Sequence, residues 1–79
     1  MKIKIVILSI LNYNNTLGSQ GLTINNIDHL LGRKGEREFI GKKLANKLEE
    51  LFDDGYIFKN LKQYSITQKG IDFLEENKN

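Results

Sequence analysis

Seventy-nine residues, 39% of them hydrophobic, are enough for one small domain that leaves much of its surface exposed. Without cysteine no disulfide or thiolate metal site can form, and a single histidine cannot hold zinc without carboxylate help, so packing or self-association must supply the stability. The net charge of +2 is small, and what it implies depends on where the charges sit.

The chain opens Lys2-Ile3-Lys4-Ile5-Val6-Ile7-Leu8-Ser9-Ile10-Leu11. Its uninterrupted apolar run, Ile5 to Leu8, falls far short of the roughly 20 residues of a membrane span, and asparagines follow where a signal peptide would place small residues. The segment therefore belongs to the core of a protein expected in the cytoplasm. Lys2 to Ile5 alternates like a strand, but Ile3, Val6 or Ile7, Ile10 and Leu11 recur at helical spacing, and a first helix is needed to close the core. Asn14-Asn15 and Gly18 stop it. Ile5 and Leu8 fall off the main stripe, which leaves two readings open: a deeply buried helix, or a contact between two copies.

Thr16 to Gly21 reads as loop, and Leu22 as a short edge strand. Thr23 is a good N-cap for a second helix whose Ile24, Ile27, Leu30 and Leu31 mark one face and which Gly32 ends. His29 has no partner that suggests catalysis and is expected on the partly exposed side. Residues 32 to 39 are irregular. Downstream, Ile40, Leu44, Leu48 and Leu51 lie within about 80° of one another when each residue advances about 100°. Carrying that phase backwards would bury Arg37 and expose Phe39, so the core-facing helix is expected to begin near Phe39 or Ile40 and to run to Asp54.

On that wheel Lys42, Lys43, Asn46 and Lys47 lie opposite the stripe, in the helix's first half. Residues 33 to 47 carry Arg33, Lys34, Arg37, Lys42, Lys43 and Lys47 against Glu36 and Glu38, whereas Glu49, Glu50, Asp53 and Asp54 make the far end acidic. Lys59, Lys62 and Lys69 add positive charge beyond it. Such polarisation presents one face to a polyanion. Lysine meets phosphates or guanine edges, and the Asn46 amide has the donor and acceptor needed to pair with adenine. Gly41, without a side chain, would let the helix approach a neighbour or a backbone closely. A solvated charged face is the competing reading.

Asp53-Asp54-Gly55 ends this helix, and a hairpin follows with strands Tyr56–Lys59 and Gln63–Thr67 and a three-residue tip, Asn60-Leu61-Lys62. Tyr56, Phe58 and Tyr64 alternate along it, as packed aromatics do. Leu61 is out of place at an exposed tip, and either folds back on the domain or serves as a small wedge. Thr67 caps a last helix with Ile71 and Leu74 inward; Phe73, about 100° before Leu74, is left over and hints at self-association.

Gly55-Tyr56-Ile57 followed by Tyr64-Ser65-Ile66-Thr67-Gln68-Lys69-Gly70-Ile71-Asp72-Phe73-Leu74 resembles the winged helix-turn-helix transcriptional regulators of archaea, their viruses and plasmids, and some bacterial mobile elements. The resemblance spans residues 22 to 76, and Thr67-Lys69-Gly70 is its most specific part. It implies a mainly helical α+β domain of three to four helices with a two-stranded β-hairpin wing. It also implies a DNA-binding regulator, a repressor and usually a homodimer, with no cofactor. By matching position, helix 40–54 would enter the major groove through Gly41, Lys42, Lys43, Asn46 and Lys47. The wing, 59–63, would meet flanking backbone through Lys59, Asn60 and Lys62. The stretch between Gly32 and Gly41 is longer than the family's usual turn, so Arg33, Lys34 and Arg37 either touch DNA or decorate a loop. An enzyme is not expected: there is no nucleophile–base constellation, no P-loop and no paired carboxylates in a cleft. The alternative is an interaction adaptor in a replication or segregation complex, using Glu49 to Asp54, Phe39 and Leu61. A single-strand binder would need stacking aromatics on the basic face, where only Phe39 and Tyr64 are candidates.

Overall fold

The apolar start of the chain is a helix, α1 (Lys2–Tyr13), in a computed structural model that describes residues 2–14, 16–18, 21–33 and 41–77. Ile3, Ile7, Ile10 and Leu11 are buried as the helical spacing requires, and Leu8, expected off the stripe, is fully buried beside them. The helix ends where Asn14 turns back, its backbone and side-chain amides both donating to the Ile10 carbonyl (3.1 and 2.8 Å).

Thr16, which looks like an ordinary loop residue, is buried. Its hydroxyl donates to the Leu11 carbonyl (3.0 Å) and accepts the Ile66 amide (2.8 Å). One side chain thus joins the end of α1 to a strand 50 residues away. Pairing a buried hydroxyl as both donor and acceptor offsets the cost of taking it out of water.

Two residues after Gly21 begin the rest of the molecule. Leu22–Thr23 forms β1, followed by α2 (Ile24–Arg33), α3 (Lys42–Asp53), β2 (Ile57–Asn60), β3 (Gln63–Ile66) and α4 (Gln68–Glu76). The mainly helical α+β class is as expected, and the four helices among the described residues fall within the expected three to four. The short edge strand read at Leu22 is present as well: β1 pairs antiparallel with β3, so the hairpin extends to a three-stranded sheet of order β1-β3-β2. Leu22 opposite Tyr64 and Thr23 opposite Gln63 anchor the hairpin to the start of α2.

Thr23 caps α2 as its residue type predicts. Its hydroxyl accepts the Asn26 amide, while the Asn26 side chain accepts from the Thr23 amide and hydroxyl, a reciprocal capping box. The described helix runs through Gly32 to Arg33, so Gly32 is a helical residue and not the stop expected of it. The helix cost of glycine, about 1 kcal/mol, is offset by full burial of Ile27 and Leu31. His29 is exposed.

In α3, Leu44, Leu48 and Leu51 form the expected fully buried stripe. The helix starts at Lys42, two residues after Ile40, because Gly41 adopts φ 56°, ψ −122°, which breaks helical geometry and suits glycine. At the other end the Tyr56 amide donates to Leu51 and the Gly55 amide to Phe52, the two bonds of a Schellman motif.

Around that motif the chain is clamped. The Thr67 hydroxyl accepts the Gly70 amide (3.1 Å) as the N-cap of α4 and donates to the Gly55 carbonyl (2.7 Å). The Thr67 amide bonds to Tyr56 O, and Lys69 Nζ donates to the Asp54 carbonyl (2.7 Å) while lying 5.2 Å from the Tyr56 ring centre. Phe73 is not left over: it stacks on Tyr56 with centroids 4.6 Å apart, so its ring is used within the chain.

The hairpin is tighter than expected. Asn60 pairs with Gln63, leaving a two-residue turn, Leu61-Lys62, in place of a three-residue tip. Leu61 at φ 59° makes the tight turn possible. Among the described residues, no helix is long and apolar enough to cross a membrane.

Candidate nucleic-acid interface

The stripe that buries Leu44, Leu48 and Leu51 necessarily turns the opposite side of α3 outward, and Lys42, Lys43 and Asn46 are exposed there. These are three of the sequence-derived candidates, brought onto the first half of one helix. Gly41 is exposed too, but a side chain built on it would meet no described atom within 4 Å. Its positive φ is a backbone requirement that glycine meets, and no neighbouring element of the described fold approaches it closely.

Lys47 sits differently. It is half-buried, and its ammonium lies 3.5 Å from Glu50 Oε1, an oxygen that also receives Lys4 at 3.1 Å. The cluster bridges α1 and α3. Hydrogen bonding from Lys4, helped by the charge of Lys47, holds the Glu50 carboxyl below its ordinary value. A carboxyl whose pKa is lowered by folding adds stability above its unfolded-state pKa and loses it as pH falls through the folded one. Glu50→Gln should therefore flatten the acid side of the stability profile, read as urea midpoints between neutral pH and the acid range beneath the ordinary glutamate value. Parallel profiles for the two proteins would refute the pairing. The exposed carboxylate makes the effect small.

The charges of α3 oppose its dipole. Lysines 42 and 43 occupy the first turn, where the helix end is partially positive, and Gly41 offers no side-chain cap. Asp53 and Asp54 stand at the partially negative end, with no basic residue in the last turn. Each such placement costs roughly 0.3–1 kcal/mol on an exposed helix end.

The hairpin brings a second set together. Lys59, Asn60 and Lys62 are exposed, and Lys59 Nζ lies 5.8 Å from the centre of the Tyr64 ring across the strand pair. Lys59, Lys62, Leu61 and Tyr64 line a shallow cavity of about 270 Å³ with Thr23, Ile24 and Asn25. The first residues of α2 thus join the hairpin lysines, a neighbourhood hidden from sequence reasoning. Asn25 stands in this neighbourhood too: the Thr23 cap signal places it on the first turn of α2, but only the β1–β3 pairing brings it to the hairpin. Leu61 does not fold back, being 87% exposed.

Arg33 is exposed at the end of α2 and lines a groove with Ser9, Ile10, Tyr13, Asn14 and Leu30, on the α1 side of the helix. Lys34 and Arg37, with Phe39 and Ile40, lie outside the described residues. Among the described residues no cluster of histidine and acidic side chains could hold a metal ion. No family model matches the chain, and neither the curated proteins nor the solved structures return a match.

Proposed function

We propose that the chain is a winged helix-turn-helix regulator that binds duplex DNA sequence-specifically, a repressor acting as a homodimer on a palindromic site. The observation that carries this reading is α3 itself. Its lysines crowd the positive end of the helix dipole and its acids the negative end, an arrangement that opposes helix stability and suits a polyanion arriving at the N-terminal half. A helix of 12 residues is roughly 18 Å long and fits a major groove about 12 Å wide. Lys42 and Lys43 would meet phosphates or guanine, Asn46 an adenine edge, and the hairpin, as the wing, would set Lys59, Asn60 and Lys62 on flanking backbone.

The homodimer is supported by apolar surface on α1. Tyr13 is 86% exposed and Ile5 half-buried, lining a groove with Ser9, Leu74 and Glu75 where α1 meets α4. A two-fold dimer that reads successive turns of one face of the duplex needs half-sites about one turn, roughly 34 Å, apart.

Selection from a random duplex pool tests the reading directly. Enrichment of an inverted repeat with about 10 bp between half-site centres is expected. Failure to retain any duplex at low salt would reject DNA binding and favour the interaction-adaptor alternative.

A further inference from the structure

The wing tip holds an unusual residue for its backbone. Leu61 is the first of the two turn residues and takes φ 59°, the region where glycine goes in tight hairpins of this kind. Among the described residues it is the one non-glycine with positive φ. Its side chain gains nothing from the fold in exchange, since it is 87% exposed. The two-residue turn accounts for the positive φ, but nothing in the described fold calls for an apolar side chain there, exposed to water and flanked by Lys59 and Lys62.

We infer that Leu61 is an apolar wedge that enters the minor groove and partly unstacks a base step there. The inference rests on the DNA-binding reading above and adds to it a kink in the duplex that backbone contacts alone would not produce. The charge around Leu61 favours this partner over a protein groove. Lys59 and Lys62 sit on either side of the leucine, so it is delivered between cations to a surface edged by phosphates. The pair of strands behind it is fixed by β1 on one side of β3 and β2 on the other, which gives the tip a rigid base to push from. Minor-groove proteins use Leu, Ile, Phe or Met in this way, and the kink is cheapest at flexible pyrimidine–purine steps.

The test is Leu61→Gly, compared with Lys59→Gln/Lys62→Gln, on the duplex enriched by wild-type protein. Glycine keeps the turn and relieves its strain, so the melting temperature should rise by about 2–5 °C. Affinity should nevertheless fall roughly tenfold. The bend, read by fluorescence transfer between the duplex ends, should disappear, along with any preference for TA or CA steps at the outer flank. The lysine pair should lower affinity while leaving the bend in place. Wild-type protein that binds without bending the duplex, or Leu61→Gly protein that bends it equally, overturns the wedge and leaves the DNA-binding reading standing. Absence of duplex binding by wild type overturns both.

Discussion

Replacing Lys42 and Lys43 together by glutamine is expected to reduce duplex affinity roughly 60-fold at 0.1 M salt and to make binding less salt-dependent. Both ammoniums are exposed on the first turn of α3, with no ion pair between them and any described acid. Each phosphate contact contributes about 0.9 to the slope of log K against log salt, so losing two should lower it by about 1.8. At 0.1 M the same arithmetic gives about 1.8 decades in affinity. Folding should not suffer. Removing positive charge from a positive helix end is neutral or mildly stabilising, so the melting temperature should hold or rise. Lys47→Gln should cost less than either lysine, because its ammonium already shares Glu50 with Lys4. Salt titrations of the double variant that retain the wild-type slope would remove α3 from the interface.

What the sequence made legible was mostly local. The 44–48–51 leucine stripe, the threonine caps at 23 and 67 and the stop at Asp54-Gly55 depend on neighbours within a helical turn, and the structure has them all. The exposure of Lys42, Lys43 and Asn46 follows from the stripe by helix geometry. What stayed hidden depends on partners far along the chain. Thr16 resembles any loop threonine until Ile66 is brought to it, and Phe73 looks surplus until Tyr56 is placed beneath it. Lys47 resembles Lys43 on a wheel. Only the packing of α1 on α3 gives it Glu50 already shared with Lys4. The two-residue turn at Leu61 is hidden for a different reason, since leucine carries no turn signal and the register is set by the Asn60–Gln63 pair.

The Thr67-Lys69-Gly70 signature, the most specific part of the family resemblance, does structural work in this chain, and Gly70→Ala should expose it. The glycine lies in the first turn of α4, fully enclosed: a Cβ there would overlap the Tyr56 carbonyl oxygen, with Ile66 Cγ1 at 2.8 Å. In an open helix the change would gain up to about 1 kcal/mol from helix propensity. Here neither obstacle can retreat freely. Tyr56 O accepts the Thr67 amide, and Ile66 is buried in the core with its own amide held by Thr16. The helix must instead move outward, loosening the Thr67 cap, the Lys69 bond to Asp54 and the Tyr56–Phe73 stack together. Overpacking of this kind costs about 2–3 kcal/mol after the propensity gain, which for a domain of this size lowers the melting temperature by roughly 10–20 °C. Thr67→Ala, which removes the cap and leaves the packing, should cost about 1 kcal/mol. At a temperature where Gly70→Ala protein remains folded, its duplex affinity should stay close to wild type, because α4 carries none of the proposed groove contacts. A Gly70→Ala protein as stable as wild type would show that α4 does not lie against Tyr56 as described.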